Sequence, residues 1–230
     1  YRLQKWILNN TFLTRNMQVL VYGEWDGSTR NIKPFFTATY SEQGKLPIKA
    51  LNLKGKIHFV FVGTLSSGKN PLYAIQLIEV LFRKGHDVIL ELYGEGTERK
   101  IVEDYIVSNE LQEIIVLHGN QNKETVKTAY QNSHFVILPS KSEGWPKAIA
   151  EGMFWGCVPI STKVSCLPFM LDDENRGLLL EMELNKDASK IENIINDEDD
   201  FIIKSKLASQ WSQQFTVEVF EDEIKKLIVK

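Results

Sequence analysis

Two glutamates are the residues of this chain best placed to do chemistry. Glu143 and Glu151 lie eight positions apart, the first in a polar loop and the second in a predicted helix. An apolar run at 135–138 leads into the loop, and the helix opens at Pro146 and stops at Gly156. A strand–loop–helix junction directs free backbone N–H groups and the positive end of a helix dipole towards the sheet edge. It is typical of an anion site, most often a phosphate site.

A second loop carries a lysine that could bind phosphate. Residues 63–70 read GTLSSGKN and follow a predicted strand. They match the phosphate-binding pattern G-x4-G-K-[ST] except that Asn70 replaces the hydroxyl residue that would hold Mg²⁺. Pro71 also starts the helix late, with Asn70 as its expected N-cap, and no predicted strand ends in the acidic residue that such NTPases need. These departures argue against an NTPase. Lys69 is then either a phosphate ligand or a solvated lysine.

Both loops belong to an alternating pattern of strands and helices that begins at Lys56. Short Val/Ile/Leu runs separated by helices indicate a parallel sheet covered on both faces. The sequence therefore predicts a Rossmann-like doubly wound α/β domain, with ligands at the carboxyl ends of the strands. The predicted strands are 57–62, 88–93, 114–117, 135–138, 157–160 and 177–180, and the predicted helices include 71–84, 97–108 and 123–131.

The two ends of the chain differ from this pattern. Before residue 56 the sequence predicts strands at 17–22 and 35–40, a turn at Asp26-Gly27 and a linker over 41–56. At the other end, apolar residues between 217 and 228 give the final helix one apolar face. Asp197-Glu198-Asp199 spells a D-x-D metal motif, but no strand precedes it. We interpret it as a solvated acidic segment between helices and predict no metal site.

Composition limits the classes of function. The chain has 230 residues, 43% of them hydrophobic, and a net charge of −3, so nothing indicates binding to nucleic acid. It contains no run of 18 apolar residues and no signal peptide, and it does not begin with Met, which suggests a fragment or a processed chain. Cys157 and Cys166 are expected to be free thiols of a reducing compartment, which predicts a cytoplasmic location.

The stretch at 138–162, which contains both glutamates, also resembles a known family. Glu143-Gly144-Trp145, Glu151-Gly152-Met153 and the run GCVPI at 156–160 are similar to the E-x7-E signature of retaining GT-B glycosyltransferases, the glycosyl transferases group 1 family. Three residues depart from the usual form, since Trp145 stands for Phe, Pro146 for Gly and Gly152 for Ala. Pro146 removes one backbone N–H that a glycine could offer to a ligand.

The resemblance implies a role for each charged residue. Glu151 falls on the glutamate that accepts hydrogen bonds from the ribose, and Glu143 on the one beside the transferred sugar, the candidate catalytic residue. Lys69 falls on the lysine that clamps the donor diphosphate. Thr64, next to Gly63, stands where the family has an arginine, and this removes a bidentate cation. Lys147 could replace part of that charge or could be a solvated lysine.

The remaining donor-binding candidates also follow from the resemblance. The turn Gly94-Glu95-Gly96 matches the family's turn beneath the nucleotide base. Leu117, His118 and Gly119 border the base through backbone groups, and the His118 side chain is more typical of a packed or solvated residue than of a catalyst. Gly144 and Trp145 complete the set. Trp145 could stack on the sugar or simply cover the end of the sheet.

At the scale of the chain, the resemblance implies one half of a GT-B fold. Residues 1–55 would be the remnant of an N-terminal acceptor domain and a linker, 56–200 the donor-binding domain, and 201–230 C-terminal helices. The implied enzyme is a hexosyltransferase of polysaccharide biosynthesis that uses a nucleotide-diphosphate sugar as co-substrate, with no metal or cofactor, and a glycan or lipid as acceptor. Its partner would be the missing acceptor domain, and the full-length enzyme could associate peripherally with a membrane.

Two other functions stay open on the sequence. The same fold could belong to a relative of the nucleotide-sugar epimerases or glycan phosphorylases, although no grouping of carboxylates with a histidine is obvious. A non-catalytic nucleotide-binding domain is the other alternative, and Thr64 and Pro146 are the residues that favour it. Which nucleotide, sugar and acceptor are used depends on variable loops and on the missing domain.

Overall fold

In the computed structural model, residues 2–14, 17–23, 28–48 and 51–228 are described, and they contain eight strands and nine α-helices. The strands are β1 (Val19–Tyr22), β2 (Ile32–Phe35), β3 (Ile57–Val62), β4 (Val88–Tyr93), β5 (Ile115–Gly119), β6 (Phe135–Leu138), β7 (Val158–Thr162) and β8 (Leu178–Leu180). The helices are α1 (Arg2–Asn9), α2 (Pro71–Arg83), α3 (Arg99–Ser108), α4 (Lys123–Asn132), α5 (Lys147–Phe154), α6 (Leu167–Leu171), α7 (Leu184–Ile195), α8 (Glu198–Ser212) and α9 (Val217–Ile228).

Six of the strands form one parallel sheet in the order β5-β4-β3-β6-β7-β8. Counted from β3, this is the 3-2-1-4-5-6 order of a Rossmann fold. The strand order reverses between β3 and β6, which are neighbours in the sheet. The predicted doubly wound α/β fold is confirmed, and the topological switch point, where such folds bind ligands, lies between the β3 and β6 loops.

The sheet is buried on both faces, which explains its continuous apolar strands. Phe59, Val60 and Phe61 are consecutive in β3 and fully buried. Phe59 pairs with Phe135 of β6, and their rings stack with centroids 4.8 Å apart. Helix α2 contacts α3 and α7, whereas α5 contacts α4 and α8, so helices cover the sheet on both sides.

The strand predicted at 35–40 is wrong in its position. The strand is Ile32–Phe35, which pairs in parallel with β1, and the chain leaves that pairing at Phe36. The Phe36 ring packs against Trp145 and Phe215 instead of continuing the ladder, so tertiary packing determines where the strand ends. The turn predicted at Asp26-Gly27 lies outside the described residues.

The acidic D-x-D segment is also placed differently from the expectation. Asp197 is the N-cap of α8, and its carboxylate accepts a hydrogen bond from Asp200 N at 3.0 Å. Glu198 and Asp199 form the first turn of α8, where acidic side chains stabilise the helix dipole. The segment therefore starts a helix rather than linking two. The boundary at 200 falls inside α8, which packs on α5 and β7.

The last helix joins the C-terminal end to the residues before the main sheet. Phe220 of α9 packs on Phe35 and Phe36 with centroids 5.4 and 6.0 Å away, respectively. Val217 N donates to Tyr40 O at 3.0 Å. The apolar face predicted for this helix therefore covers the residues around β2, and the division of the chain into domains at 55 and 200 stays a prediction.

The cysteines are free, as the sequence predicts. Cys157 and Cys166 are both buried. Burial raises the pKa of the Cys166 thiol to about 11 and that of Cys157 further above its usual value. Neither thiol is therefore a nucleophile at neutral pH.

Helix length excludes a membrane span over the described ranges. The longest helix, α8, has 15 residues, and a span needs about 20 predominantly apolar ones. No described helix is both long and apolar enough.

Candidate functional site

The loops after β3, β4 and β5 are joined at the carboxyl edge of the sheet. Gly63 N donates to Tyr93 O at 2.9 Å, and Gly94 N donates to Gly119 O at 2.8 Å. Leu65 N donates to the carbonyl of residue 95 at 3.0 Å. These backbone bonds make the three loops one surface, on which the predicted base-binding residues lie side by side.

Two glycines are required where these loops cross. A Cβ built on Gly94 would lie 2.0 Å from Gly63 O, and Gly94 has a φ of +143°. A Cβ on Gly96 would lie 2.3 Å from Leu65 O. Only glycine allows the backbones to approach so closely. The G-x-G pattern after β4 is therefore a close crossing of two loops.

Lys69 and Glu143 form an ion pair across the switch point. Lys69 Nζ donates to Glu143 Oε1 at 2.6 Å. The Glu143 side chain is only 5% exposed, whereas that of Lys69 is 31% exposed. A second link lies beside it, because Lys141 N donates to Gly68 O at 2.8 Å. The residues predicted from two distant motifs, 74 positions apart, thus meet where β3 and β6 are neighbours.

Two helices begin directly after these residues. Helix α2 starts two positions after Lys69 and α5 starts four positions after Glu143. Neither helix has a side-chain cap hydrogen bond, because Asn70 has a left-handed backbone with a φ of +55° and the N-cap of α5 is Pro146. Their first-turn N–H groups therefore have no capping side chain. Helix α2 starts at Pro71, later than the helix of a P-loop, as the sequence predicts. The Lys69–Glu143 pair is neutral as a whole, and the N-termini of α2 and α5 add partial positive charge to this edge.

Glu151 lies one turn inside α5, on the side of residues 37–40. Its Oε2 accepts a hydrogen bond from the Tyr130 hydroxyl at 3.2 Å. It lines a small cavity together with Thr37, Tyr40 and Lys147. Lys147 is exposed and makes no ion pair with any residue of the described ranges. Its ammonium is therefore available to an anionic ligand.

Gly152, the departure next to Glu151, has a packing reason. A Cβ on Gly152 would lie 2.5 Å from Cγ1 and 2.7 Å from Cβ of Val136 on β6. The family's alanine does not fit above a valine at this separation. Helix α5 sits close on the sheet, and this close contact determines the height of Glu151 above the strand ends.

Trp145 packs into an aromatic cluster rather than standing on the surface. Its ring lies 5.7 Å from Phe215, 6.1 Å from Trp211 and 6.3 Å from Phe36, centroid to centroid. The residue is 8% exposed. Of the two roles open on the sequence, this packing favours covering the end of the sheet over stacking on a sugar. The neighbouring Gly144 is exposed and lies against the Tyr22 ring.

The remaining predicted residues lie around the ends of β4 and β5. His118 stacks on Tyr93 with centroids 4.4 Å apart, and its Nε2 is 2.9 Å from Glu91 Oε1. These contacts fit a packed histidine, as expected. Leu117 and Gly119 belong to the same strand β5, and Thr64 is exposed at the end of β3. The structure thus joins the loops of Gly63, Gly94 and Gly119 at one sheet edge and brings Lys69 to Glu143. Glu151 lies separately, beside Tyr130 and residues 37–40.

Sequence reasoning missed Tyr130. It is a fully buried residue of α4 whose hydroxyl bonds Glu151 across the helix–helix contact. No motif marks a tyrosine inside a helix, and its position five residues before β6 gave no sign of chemistry. The polar hydroxyl could have drawn attention to it, since a tyrosine buried in a helix needs a hydrogen-bond partner for that hydroxyl.

No group of three or more His, Cys, Asp or Glu side chains is arranged to hold an ion within the ranges that the structure describes. The two acidic groups at the site, Glu143 and Glu151, instead bond a lysine and a tyrosine.

Two curated relatives resemble part of the chain. An uncharacterized glycosyltransferase of Methanocaldococcus jannaschii is 31% identical over 141 residues, which are 61% of this chain and 38% of that protein. The UDP-Gal:alpha-D-GlcNAc-diphosphoundecaprenol alpha-1,3-galactosyltransferase of Escherichia coli is 27% identical over 165 residues, 70% of this chain and 42% of that protein.

Solved structures share the fold. The crystal structure of a TarM mutant of S. aureus, in complex with Fondaparinux, alpha-GlcNAc-glycerol and UDP, matches 100% of this chain and 47% of that one, with a TM-score of 0.76 and 18% identity. This likeness concerns the fold alone. The chain spans less than half the length of each of these three proteins.

The family itself is shown by a match over most of the sequence. The family model described as glycosyl transferases group 1 matches residues 44–215, a range that includes β3 to α8 and every predicted site residue. This chain therefore belongs to the glycosyl transferases group 1 family, and its six-stranded parallel sheet has the Rossmann-like α/β fold of one half of a GT-B fold.

Proposed function

We propose that this chain is the C-terminal, nucleotide-sugar donor domain of a retaining glycosyltransferase that moves a hexose from a nucleotide diphosphate to a glycan or lipid acceptor. The observation that carries the proposal is the Lys69–Glu143 ion pair at the switch point of the sheet. It combines a cation for the diphosphate and a nearly buried carboxylate for the sugar in the crevice where this topology binds ligands.

The proposed roles follow the chemistry of the groups. The Lys69 ammonium has three donors and bonds Glu143 with one of them, so it can also hold phosphate oxygens. Glu151 accepts hydrogen bonds from the ribose hydroxyls, and Glu143 faces the transferred sugar. As the anomeric C–O bond breaks, the sugar becomes oxocarbenium-like and the diphosphate leaves with the bonding electrons. Lys69 and the N-termini of α2 and α5 stabilise that charge without a metal.

The other residues form the walls of the donor site. Gly63, Thr64, Gly94 and Gly96 form the crossing of the first two loops, and the backbone from Leu117 to Gly119 borders the base. Thr64 supplies no cation, so we assign part of the missing positive charge to the exposed Lys147. Gly144 belongs to the loop that holds Glu143, and the Tyr22 ring covers the face where a side chain would stand.

A second domain is part of this proposal. Residues 1–55 would belong to the acceptor domain and the crossing between the two domains, and the catalytic cleft would close only when that domain is complete. The described part of this segment already contacts the donor half, where Tyr22 lies against Gly144. The full-length enzyme would be cytoplasmic, with a peripheral membrane association if its acceptor is a lipid.

The relatives support the donor class. The name of the galactosyltransferase of Escherichia coli contains UDP-Gal, and the TarM complex contains UDP. UDP is therefore the first nucleotide to test on this chain, with the choice of sugar and acceptor left to experiment.

A non-catalytic nucleotide-binding domain is the second candidate. The observation in its favour is that Thr64 is exposed and uncharged where the family has an arginine, so the diphosphate would have one fewer cation. An epimerase-like or phosphorylase-like site has less support, because His118 pairs with Glu91 and not with Glu143 or Glu151.

Calorimetric titration tests the proposal. UDP, GDP and ADP, the matching nucleosides, and UDP-glucose, UDP-galactose and UDP-N-acetylglucosamine are titrated into the chain. We expect one diphosphate to bind and its nucleoside to bind more weakly, since Lys69 contacts only the phosphates. A sugar-bearing donor that binds no differently from the bare diphosphate would favour the non-catalytic domain. If none of the diphosphates binds, the proposed function is wrong.

A further inference from the structure

Tyr130 lies beside the carboxylate to which we assign the ribose. It is in α4, it is fully buried, and its hydroxyl is 3.2 Å from Glu151 Oε2. Tyr130 is the hydrogen-bond donor to Glu151 among the described residues, and it engages one of the two carboxylate oxygens. The other oxygen, Oε1, has no hydrogen-bond donor among the described residues, so it can accept from a ligand.

The direction of this hydrogen bond is fixed. Burial raises the pKa of Tyr130 well above its usual value, and the charge of Glu151 raises it further. The hydroxyl therefore stays protonated at any physiological pH. An ionised carboxylate can only accept, so Tyr130 donates and Glu151 accepts.

The tyrosine itself is held rigidly by its surroundings. It belongs to the core of the sheet and its helices, and its carbonyl accepts a weak hydrogen bond from Cys157 Sγ at 3.1 Å. A glutamate side chain, in contrast, has three rotatable bonds and loses conformational freedom when it is fixed. A rigid donor can hold the flexible glutamate in place before the ligand arrives. Less conformational entropy is then lost when the ligand binds.

We propose that Tyr130 is a positioning residue: its hydroxyl holds Oε2 of Glu151 so that Oε1 points at the ribose 2′ and 3′ hydroxyls of a bound nucleotide. This inference rests on the proposed function, because it needs the nucleotide to lie at Glu151. It adds a residue of α4 to a site otherwise made of loops and the start of α5.

Tyr130→Phe tests this inference, because it removes the hydroxyl and keeps the ring. The probes are the tightest binder among UDP, GDP and ADP and its 2′,3′-dideoxy analogue, both measured by calorimetry. We expect Tyr130→Phe to weaken the ribonucleotide roughly 5- to 10-fold, since a hydrogen bond to a charged group no longer fixes Glu151. The dideoxy analogue should bind the variant and the parent chain almost equally, because it lacks the hydroxyls that Glu151 would contact.

Two further variants separate positioning from damage to the fold. Tyr105→Phe is the matched control: its hydroxyl also donates to a glutamate, Glu79 Oε2 at 2.6 Å, but lies between α3 and α2. It should leave both affinities unchanged. Tyr130→Phe combined with Glu151→Gln should weaken ribonucleotide binding no more than Glu151→Gln alone, because the tyrosine acts through that carboxylate.

The outcomes are distinct. Equal weakening of the ribonucleotide and the dideoxy analogue by Tyr130→Phe, or additive effects in the double variant, would overturn the positioning role while leaving the proposed function intact. Unchanged ribonucleotide affinity in Tyr130→Phe would overturn it as well. Failure of UDP, GDP and ADP to bind the parent chain would overturn the proposed function and this inference together.

Discussion

Because Lys69 and Glu143 form an ion pair, the role of either residue cannot be measured independently of the other. In the structure Lys69 is the one cation within 4 Å of the Glu143 carboxylate among the described residues. Removing either residue therefore changes the charge seen by the other. Variants at this pair have to be compared with each other and with a neighbouring lysine that has no such partner.

Lys69→Ala should weaken binding of UDP by roughly 1.5–3 kcal/mol, because a hydrogen bond to a charged group is lost. Uridine should bind unchanged, since it has no phosphate. Lys141→Ala is the matched control, because that exposed lysine lies on the same rim and makes no ion pair with a described residue. Calorimetry measures all three. Equal losses for uridine and UDP would mean that Lys69 supports the fold or the base site instead.

Substitutions of the two glutamates should weaken the binding of different ligands. Glu151→Gln should weaken UDP and the UDP-sugar by a similar amount, on the order of 1–2 kcal/mol, since a neutral amide is a weaker acceptor for the ribose. Glu143→Gln should not weaken bare UDP, because it removes a negative charge beside Lys69, and should weaken only the sugar-bearing donor. In the full-length enzyme its effect should fall mainly on kcat.

Calorimetry of both variants with both ligands checks this assignment of roles. Glu143→Gln weakening UDP as much as Glu151→Gln does would reverse it. If neither change matters, the site has lost its function.

The sequence predicted most residues of the candidate site, but it could not predict the contacts between them. Glu143 and Lys69 were predicted from two separate motifs, and only the sheet order brings them to 2.6 Å. Trp145 could not be assigned from the sequence, because the aromatic residues that surround it come from α8 and from the segment around Phe36. Tyr130 carried no motif at all.

At the scale of elements, helix α5 sets the position of Glu151 through its contact with β6. Gly152 is the residue that allows this contact, because any side chain there would meet Val136. An alanine is favoured over glycine in a helix by roughly 1 kcal/mol. Gly152→Ala therefore lowers the stability if the clash is the larger effect and raises it if the helix propensity is larger.

We expect the clash to dominate in Gly152→Ala, with a loss of stability of about 1–3 kcal/mol from overpacking. Urea denaturation measures it. Adding Val136→Ala should recover part of the loss, because it removes the atoms that the new methyl group meets. Gly68→Ala is the control, since its Cβ would meet only Ser66 Oγ at 3.9 Å. A Gly152→Ala chain as stable as the parent would show that α5 can move away from the sheet.

The sequence predicted the strands of the main sheet because buried strands are continuous apolar runs. It predicted β3, β4 and β6 with the bounds that the structure gives. The ends of β2 and the start of α8 escaped it for physical reasons: Phe36 leaves the ladder for an aromatic cluster, and Asp197 caps a helix that looked like an acidic linker. Local composition does not contain such tertiary and capping contacts.

At the scale of the whole molecule, the six-stranded sheet and its helices share one hydrophobic core. The helices cover both faces of the sheet, and α9 returns to cover the residues around β2. Several large apolar side chains before β2 stay exposed, among them Leu3, Trp6 and Phe12. The site edge itself is open at Lys69, Gly144 and Lys147.

We therefore expect this chain to bind a sugar donor but to transfer little by itself. The proposed cleft needs an acceptor domain, and the chain spans less than half the length of the relatives described above. An assay of sugar release from UDP-sugars with added glycan and lipid acceptors checks this. Turnover at rates typical of enzymes, about 1–10³ s⁻¹, would contradict the expectation.

The central claim is that the edge between β3 and β6 holds a nucleotide diphosphate, and a crystal structure of the chain soaked with UDP tests it most directly. The account predicts a diphosphate oxygen within about 3 Å of Lys69 Nζ. It also predicts the ribose hydroxyls at Glu151 and the base beside residues 117–119. A nucleotide bound elsewhere on the chain, or with its ribose and diphosphate exchanged between Glu151 and Lys69, would contradict it.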